Sequence, residues 1–264
     1  MTKGPVVIES ENVSYAWATA FNELAEAPMH EIVPLIVCIT GFDANVVRED
    51  QCIRALLEAE LRAHHLQSVR TVASTIFPSS LWNPNNPPQD LFDRYAQVLP
   101  RIRKHRLNCY GIYFERMMRF HPKNTPTAVN QIEYILTTRE GQNRRRSAYQ
   151  LSIIDPTRDH TNQPRRGFPC LQQVSISPIS EDGLSMTGFY ATQTLFERAY
   201  GNYIGLCELG RFFAHQWGMQ LTRVTCVASV AKLGIPVTEG HALAHHALRI
   251  MNEAQEVVMA TNEG

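Results

Sequence analysis

"PCLQQVSISPISEDGLSMTGFYATQTLFERAYGN", residues 169–202, is the stretch whose reading decides the fold. Two segments inside it, "LQQVSIS" (171–177) and "LSMTGFYAT" (184–192), alternate apolar and polar residues with the period of a half-buried strand. They are joined through "PISEDG", where Asp182-Gly183 is a turn signal, so the pair predicts an antiparallel hairpin. The next segment, "GNYIGLCELGRFFAHQWG", carries Tyr203, Leu206, Leu209, Gly210, Phe213 and Trp217 along one helical stripe. Asn202 stands at the head of that helix, where an N-cap is expected. Cys170 sits at the mouth of the first strand. Two readings are open for it: a nucleophile, or a small apolar residue at a strand start.

Working outward, "LTRVTCVASVAKLG" predicts a further strand and "EGHALAHHALRIMNEAQEVV" a last helix. Upstream, "SAYQLSIID" alternates and ends at Pro156, and "AVNQIEYILTTREG" is helical with Gly141 as its stop. Nearer the N-terminus, "SENVSYAWATAFNELAE" predicts a helix capped by Ser10 or Asn12, and "IVPLIVCIT" a buried strand closed by Gly41. "REDQCIRALLEAELRAHH" and "QDLFDRYAQVLPRIRKHR" predict two more helices. The Pro- and Asn-rich "FPSSLWNPNNPPQD" between them predicts an ordered loop, because Phe77, Leu81 and Trp82 call for burial. Long helices, a hairpin and crossover connections together predict one α+β domain over 1–264, built around a mixed sheet.

The composition limits the partners. Among 264 residues, Lys plus Arg and Asp plus Glu both number 25, so no general attraction to nucleic acid or a membrane surface is expected. Any anion site must be local. No apolar run approaches the roughly 20 residues that span a bilayer, and the N-terminal stretch lacks a secretory core, which predicts a cytoplasmic protein. The six cysteines form no C-x-x-C pair, so neither zinc nor a disulfide framework is expected. His241 and His245 share a helix face, with His246 beside them, but a metal site is not expected there.

The order of these pieces resembles the thymidylate synthase family: Pro-Cys, a strand, a D-G turn, a strand with a Tyr, a short polar segment, then Asn at the head of a long helix. Upstream, "NQIEYILTTREGQNRRRSAYQL" looks like that family's helix, paired arginines and strand, and "CYGIYFERMMRF" is similar to its tyrosine-bearing segment. The resemblance covers roughly residues 105–220. It implies a thymidylate synthase-like mixed β-sheet flanked by helices, and transfer of a methyl or hydroxymethyl unit to C5 of a pyrimidine nucleotide. A cysteine nucleophile and methylene-tetrahydrofolate as donor follow from it, as does a homodimer sharing arginines across its interface.

Carried onto this chain, the resemblance implies Cys170 as the nucleophile and Tyr113 beside it as a second catalytic group. Asn202 is implied to read the base, with Gln193 where the family has a serine. "RRR" at Arg144, Arg145 and Arg146 is implied to reach the partner's nucleotide phosphate, in a register left open between the first and second pair. Arg166, with Arg165, stands before the cysteine and supplies positive charge to a thiolate. Departures are equally visible. Leu171 replaces a His, and "YATQTLFE" lacks the family's Gln-Arg-Ser-x-Asp. The sugar-binding strand has neither its His nor its Tyr. A non-standard nucleotide substrate is therefore expected. The alternative is a catalytically silent relative that binds a nucleotide or a protein partner. A Cys-His hydrolase using His160 or His215 has no orienting signature around either histidine.

Overall fold

The computed structural model describes residues 2–108, 112–121, 126–141, 145–160, 162 and 169–262, without the side chains of Leu107 and residues 257–262. Arg144, Arg165 and Arg166 lie outside the described residues. In chain order the elements are β1 (Val6–Ser10), α1 (Val13–Ala25), β2 (Glu31–Ile32), β3 (Leu35–Ile39), β4 (Phe42–Asp43) and β5 (Val46–Val47). There follow α2 (Gln51–Ala63), α3 (Val69–Ile76), α4 (Pro88–Arg103), α5 (Tyr113–Met118) and α6 (Gln131–Glu140). The second half has β6 (Gln150–Ser152), α7 (Pro156–Asp159), β7 (Leu171–Pro178), β8 (Gly183–Thr194), α8 (Tyr200–Trp217), β9 (Gln220–Lys232) and α9 (Val237–Asn262).

The main sheet runs β1-β3-β9-β8-β7-β6, with β2 also pairing with β9. It is mixed: β8 and β9 are parallel, joined by α8 as a crossover, while β7-β8 is the expected antiparallel hairpin. The fold is thus α+β, a mixed sheet with flanking helices. Helix α1 packs on β1 and β3, and α8 on β8 and β9, so one face of the sheet is closed by two apolar helices. Trp17 donates from Nε1 to the Leu195 carbonyl at 3.0 Å, tying α1 to the segment that leads into α8.

The other sheet face carries mostly half-buried and exposed side chains, with Cys38 buried among them. One row across it reads Val7, Ile36, Val227, Phe189 and Gln173, and the next Glu9, Cys38, Thr225, Thr187 and Ser175. Val7 is 68% exposed and Phe189 39%. Such a row is expensive to leave in water, at roughly 25 cal/mol per Å² of apolar surface.

One expectation changes at the start of α8. Asn202 is not its cap: a π-turn over Leu195–Ala199 runs straight into the helix, and Asn202 is the third residue of α8. The segment "FERAYG" invites a break at Gly201, yet Gly201 serves packing. A Cβ there would lie 2.5 Å from Val72 Cβ, and one at Gly205 2.7 Å from the Ala73 carbonyl oxygen. The two glycines, one turn apart, let α3 lie directly on α8. Gly218 then ends the helix at φ 62°, the left-handed position glycine takes without strain.

Candidate active site

Cys170 is placed by the start of the β7-β8 hairpin. Its carbonyl accepts from Ala191 N at 2.9 Å, and the β7-β8 register shifts between Leu171 and Gln173, an irregularity that re-aims the strand's first side chains. The thiol is half-buried, and its Sγ lies 3.5 Å from Thr192 Oγ1. Thr192, not Gln193, is therefore the hydroxyl neighbour of the cysteine. Gln193 is buried and turned elsewhere, accepting from Tyr203 Oη at 3.4 Å and donating to Cys226 Sγ at 3.5 Å.

Tyr113, the first residue of α5, is brought to Cys170 from 57 residues upstream. Burial pushes its phenol up to about 12, and the charge of Cys170 acts in the same direction. The backbone at Leu171 and Cys170 and the charge of Arg198 favour the phenolate; both oppose the rise and lose to burial. Tyr113 is thus protonated at neutral pH and can donate.

Behind this pair stands Tyr190. Its ring is fully buried, and its Oη has no hydrogen-bond partner among the described residues. Burial raises its phenol well above the ordinary value, and Cys226, Tyr113, Tyr203 and Cys170 all add to the rise. The four groups therefore surround one hydroxyl. Cys226 is buried with its thiol pushed up to about 12, the behaviour of an inert core cysteine, not a nucleophile.

Arg198 is the cation of the cluster that sequence reasoning missed. It sits in the π-turn four residues before Asn202, close to one helical turn away, and Asn202 is itself only 4% exposed. Its Nη1 donates to Gln67 Oε1 at 2.6 Å and its Nε lies 3.5 Å from Glu197. The signal was available: Arg198 and Asn202 are i, i+4 once the helix is begun at Leu195. Thr192 and Tyr190 needed only the strand's period of two.

A cavity of about 530 Å³ adjoins the cluster, lined by Gln67, the partner of Arg198, and by Ile112, the residue before Tyr113. Thr71, Ser74 and Thr75 of α3 give it hydroxyls, Arg101 a positive edge and His105 an imidazole. Tyr95 also lines it; its Oη is buried and without partner among the described residues. An apolar-walled space of this volume with a few convergent polar groups suits a small-molecule ligand.

The arginine run falls elsewhere. Arg146 lines a different cavity, of about 260 Å³, with Arg139 and Pro178. Pro178 ends β7, roughly 26 Å from Cys170 by the strand rise of ~3.3 Å per residue, so Arg146 stands at the opposite end of the strand from Cys170 of its own chain. Arg145 is exposed beside it. Among the histidines, His241 Nδ1 lies 3.0 Å from Glu26 at the α1–α9 contact, and the described residues hold no group of three metal-ligating side chains. His215 bonds to the Pro84 carbonyl at 2.9 Å.

Comparison with models of protein families and with curated proteins gives no match.

Proposed function

We propose that this chain is a thymidylate synthase-like transferase that adds a one-carbon unit, methyl or hydroxymethyl, to C5 of a uracil-type nucleotide. The observation that carries the reading is the convergence of Cys170, Tyr113 and Thr192, three residues far apart in sequence, beside an unpartnered buried Tyr190 hydroxyl. The pyrimidine C5 is a poor nucleophile. Addition of the Cys170 thiolate to C6 moves electron density onto C5 and the C4 oxygen, which splits one hard step into two easier ones. Tyr113, held protonated, donates a hydrogen bond toward the sulfur or the adjoining ring. Asn202 offers a carboxamide, which matches the carbonyl and N–H of a uracil edge.

A reduced folate would supply the one-carbon unit. The cavity beside Ile112 and Gln67 fits such a group in volume; Tyr95 Oη is an unpartnered donor on its wall, and the hydroxyl oxygens of Ser74 and Thr75, whose own protons go to the Thr71 and Val72 carbonyls, are acceptors that would hold it. Two observations favour a homodimer. The sheet exposes a row from Val7 to Phe189, and Arg146 stands at the opposite end of β7 from Cys170. A twofold axis through that face carries the arginine end of one sheet over the cysteine end of the other.

A second reading, a catalytically silent protein that binds a nucleotide, is favoured by Leu171 and Ala191. Leu171 is fully buried, so the position after the cysteine offers no group for proton transfer. One experiment separates the readings. Incubation with 5-fluoro-deoxyuridylate, with and without methylene-tetrahydrofolate, should add the mass of the ligand to the intact protein. Cys170→Ala should abolish both that adduct and C5 hydrogen exchange on deoxyuridylate. Binding without adduct or exchange supports the silent reading; absence of binding, adduct and exchange overturns both.

A further inference from the structure

A second site stands at the far end of α5 from Tyr113. A cavity of about 500 Å³ there is lined by Arg103, Glu115, Arg119, His121 and Arg158, with Pro126 on one wall. Its charge is local, since the chain as a whole has none. We infer that it binds the phosphate of a small phosphate ester that carries a free hydroxyl, such as a sugar phosphate.

Three features argue for a built site. The first is the frame. Arg116 of α5 and Asp159 of α7 form a buried two-pronged ion pair, at 2.6 and 2.9 Å, and Arg116 also donates to the Ile153 carbonyl at 3.0 Å. Arg119 caps the C-terminus of α5, and Phe120 exchanges both backbone bonds with Val129, at 2.9 and 2.7 Å. Asp155 caps α7 through its Oδ1. Arg119 and Arg158 thus project from backbone held by buried bonds, the condition for a preorganised site.

The second feature is charge. Arg103 is committed to Glu115, and Arg116 to Asp159. Arg158 feels Asp159 electrostatically, but neither Arg158 nor Arg119 has a carboxylate within ion-pair distance among the described residues. Two guanidinium forks and the His121 imidazole are therefore left for a ligand. Paired forks match phosphate oxygens better than point charges do.

The third feature selects the ligand. Glu115 opposes a bare anion, and its Oε2 is buried without a partner among the described residues. A hydroxyl near the phosphate would donate to the Glu115 carboxylate, which lines the cavity and is short of hydrogen-bond partners. Inorganic phosphate cannot reach both ends of a space this large.

The test uses ribose 5-phosphate, inorganic phosphate and ribose as separate ligands, read by calorimetry on the whole chain. Ribose 5-phosphate should bind at least tenfold tighter than phosphate, and ribose alone should give no heat. The double variant Arg119→Ala, Arg158→Ala should weaken ribose 5-phosphate at least 100-fold, while its melting temperature without ligand stays that of the parent. If that variant does not fold, Arg119→Lys with Arg158→Lys, which keeps charge and loses the fork, should still weaken binding about tenfold. Cys170→Ala should bind ribose 5-phosphate as the parent does, so the result is independent of the proposed reaction. Absence of binding, binding unmoved by either arginine pair, or loss on Cys170→Ala overturns the site. Equal affinity for phosphate and ribose 5-phosphate overturns the role given to Glu115.

Discussion

Asp159→Asn should be among the most destabilising single substitutions in the chain, and its size can be worked from the Arg116–Asp159 pair. Both side chains are under a tenth exposed, and two short bonds join them. Asp159 also accepts from the backbone N–H of Asp155 at 2.8 Å. Asparagine keeps one acceptor but points an N–H₂ group at a guanidinium or an amide, both donors. Arg116 is then a buried charge with its counter-ion removed, a change that costs about 3–5 kcal/mol. For a chain of this length that corresponds to a fall of roughly 10 °C in melting temperature. Replacing both partners by apolar residues, Arg116→Met with Asp159→Leu, should cost less than the single change, because no charge is stranded.

The pH dependence has a definite sign. Burial raises the Asp159 carboxyl, but hydrogen bonds from Arg116 and the Asp155 backbone, with the Arg116 charge, outweigh it and leave the group below its ordinary value. A depressed carboxylate stabilises the fold above its unfolded pKa, about 3.9, and the contribution is lost as pH falls through the lower folded value. Urea unfolding of parent and Asp159→Asn should therefore differ by a constant amount from pH 5 to 8, and the gap should narrow below about pH 4. A gap under 1 kcal/mol at pH 7, or one that persists unchanged in acid, would refute the reasoning.

Tyr190→Phe removes a buried hydroxyl that has no partner among the described residues, so the fold should be unharmed or gain up to about 1 kcal/mol. On the proposed function the same change should weaken 5-fluoro-deoxyuridylate, and calorimetry beside a melt will show whether stability and binding part company. Phe189→Glu puts a charge into the exposed row of the sheet and should convert a dimer to monomer by sedimentation; a parent that is already monomeric at micromolar concentration removes the shared-arginine model. If the dimer holds, mixing Cys170→Ala with an Arg145→Ala, Arg146→Ala chain should regain activity through the intact half-sites.

What the sequence disclosed follows from the range of the forces involved. Period-two alternation in 171–177 and 184–192 is local, and the hairpin appeared where it was expected. The cap at Asn12, one of the two candidates with Ser10, is equally local. Helix α3 escaped notice because Val69, Val72, Ala73 and Ile76 make only two turns; its role comes from α8, where glycines admit it. The same long-range contact hid the true start of α8, since Gly201 reads as a break until Val72 is seen against it. Cys170 and Tyr113 came from a family's order of elements, not from any pattern near them. Arg198 had no such guide, and its spacing from Asn202 became meaningful only once the fold showed the helical turn beginning at Leu195.

The cluster's chemistry turns on which group can move a proton. Tyr113 resembles a base in position but not in charge state, since burial holds its phenol at about 12. The Leu171 and Cys170 backbone favours the phenolate, but less than burial disfavours it. The Tyr113 O–H can point at an electron-rich neighbour, and the Cys170 sulfur is the one at hand. On the proposed reading, then, Tyr113 steadies the thiolate and its adduct as a donor, and the proton leaving C5 goes to another acceptor. Thr192, at 3.5 Å from the sulfur, is too weak an acid or base to take it unaided. A further hydroxyl of the cluster, Tyr190 Oη, is protonated for the same reason as Tyr113. A water bridging the two phenols would accept from both and so be a poor base. Loss of the C5 proton should accordingly be the slow step, slower than addition at C6. That ordering predicts a primary isotope effect on turnover with 5-deuterated substrate, and an effect near unity would move the barrier to the addition and the burden back onto Cys170.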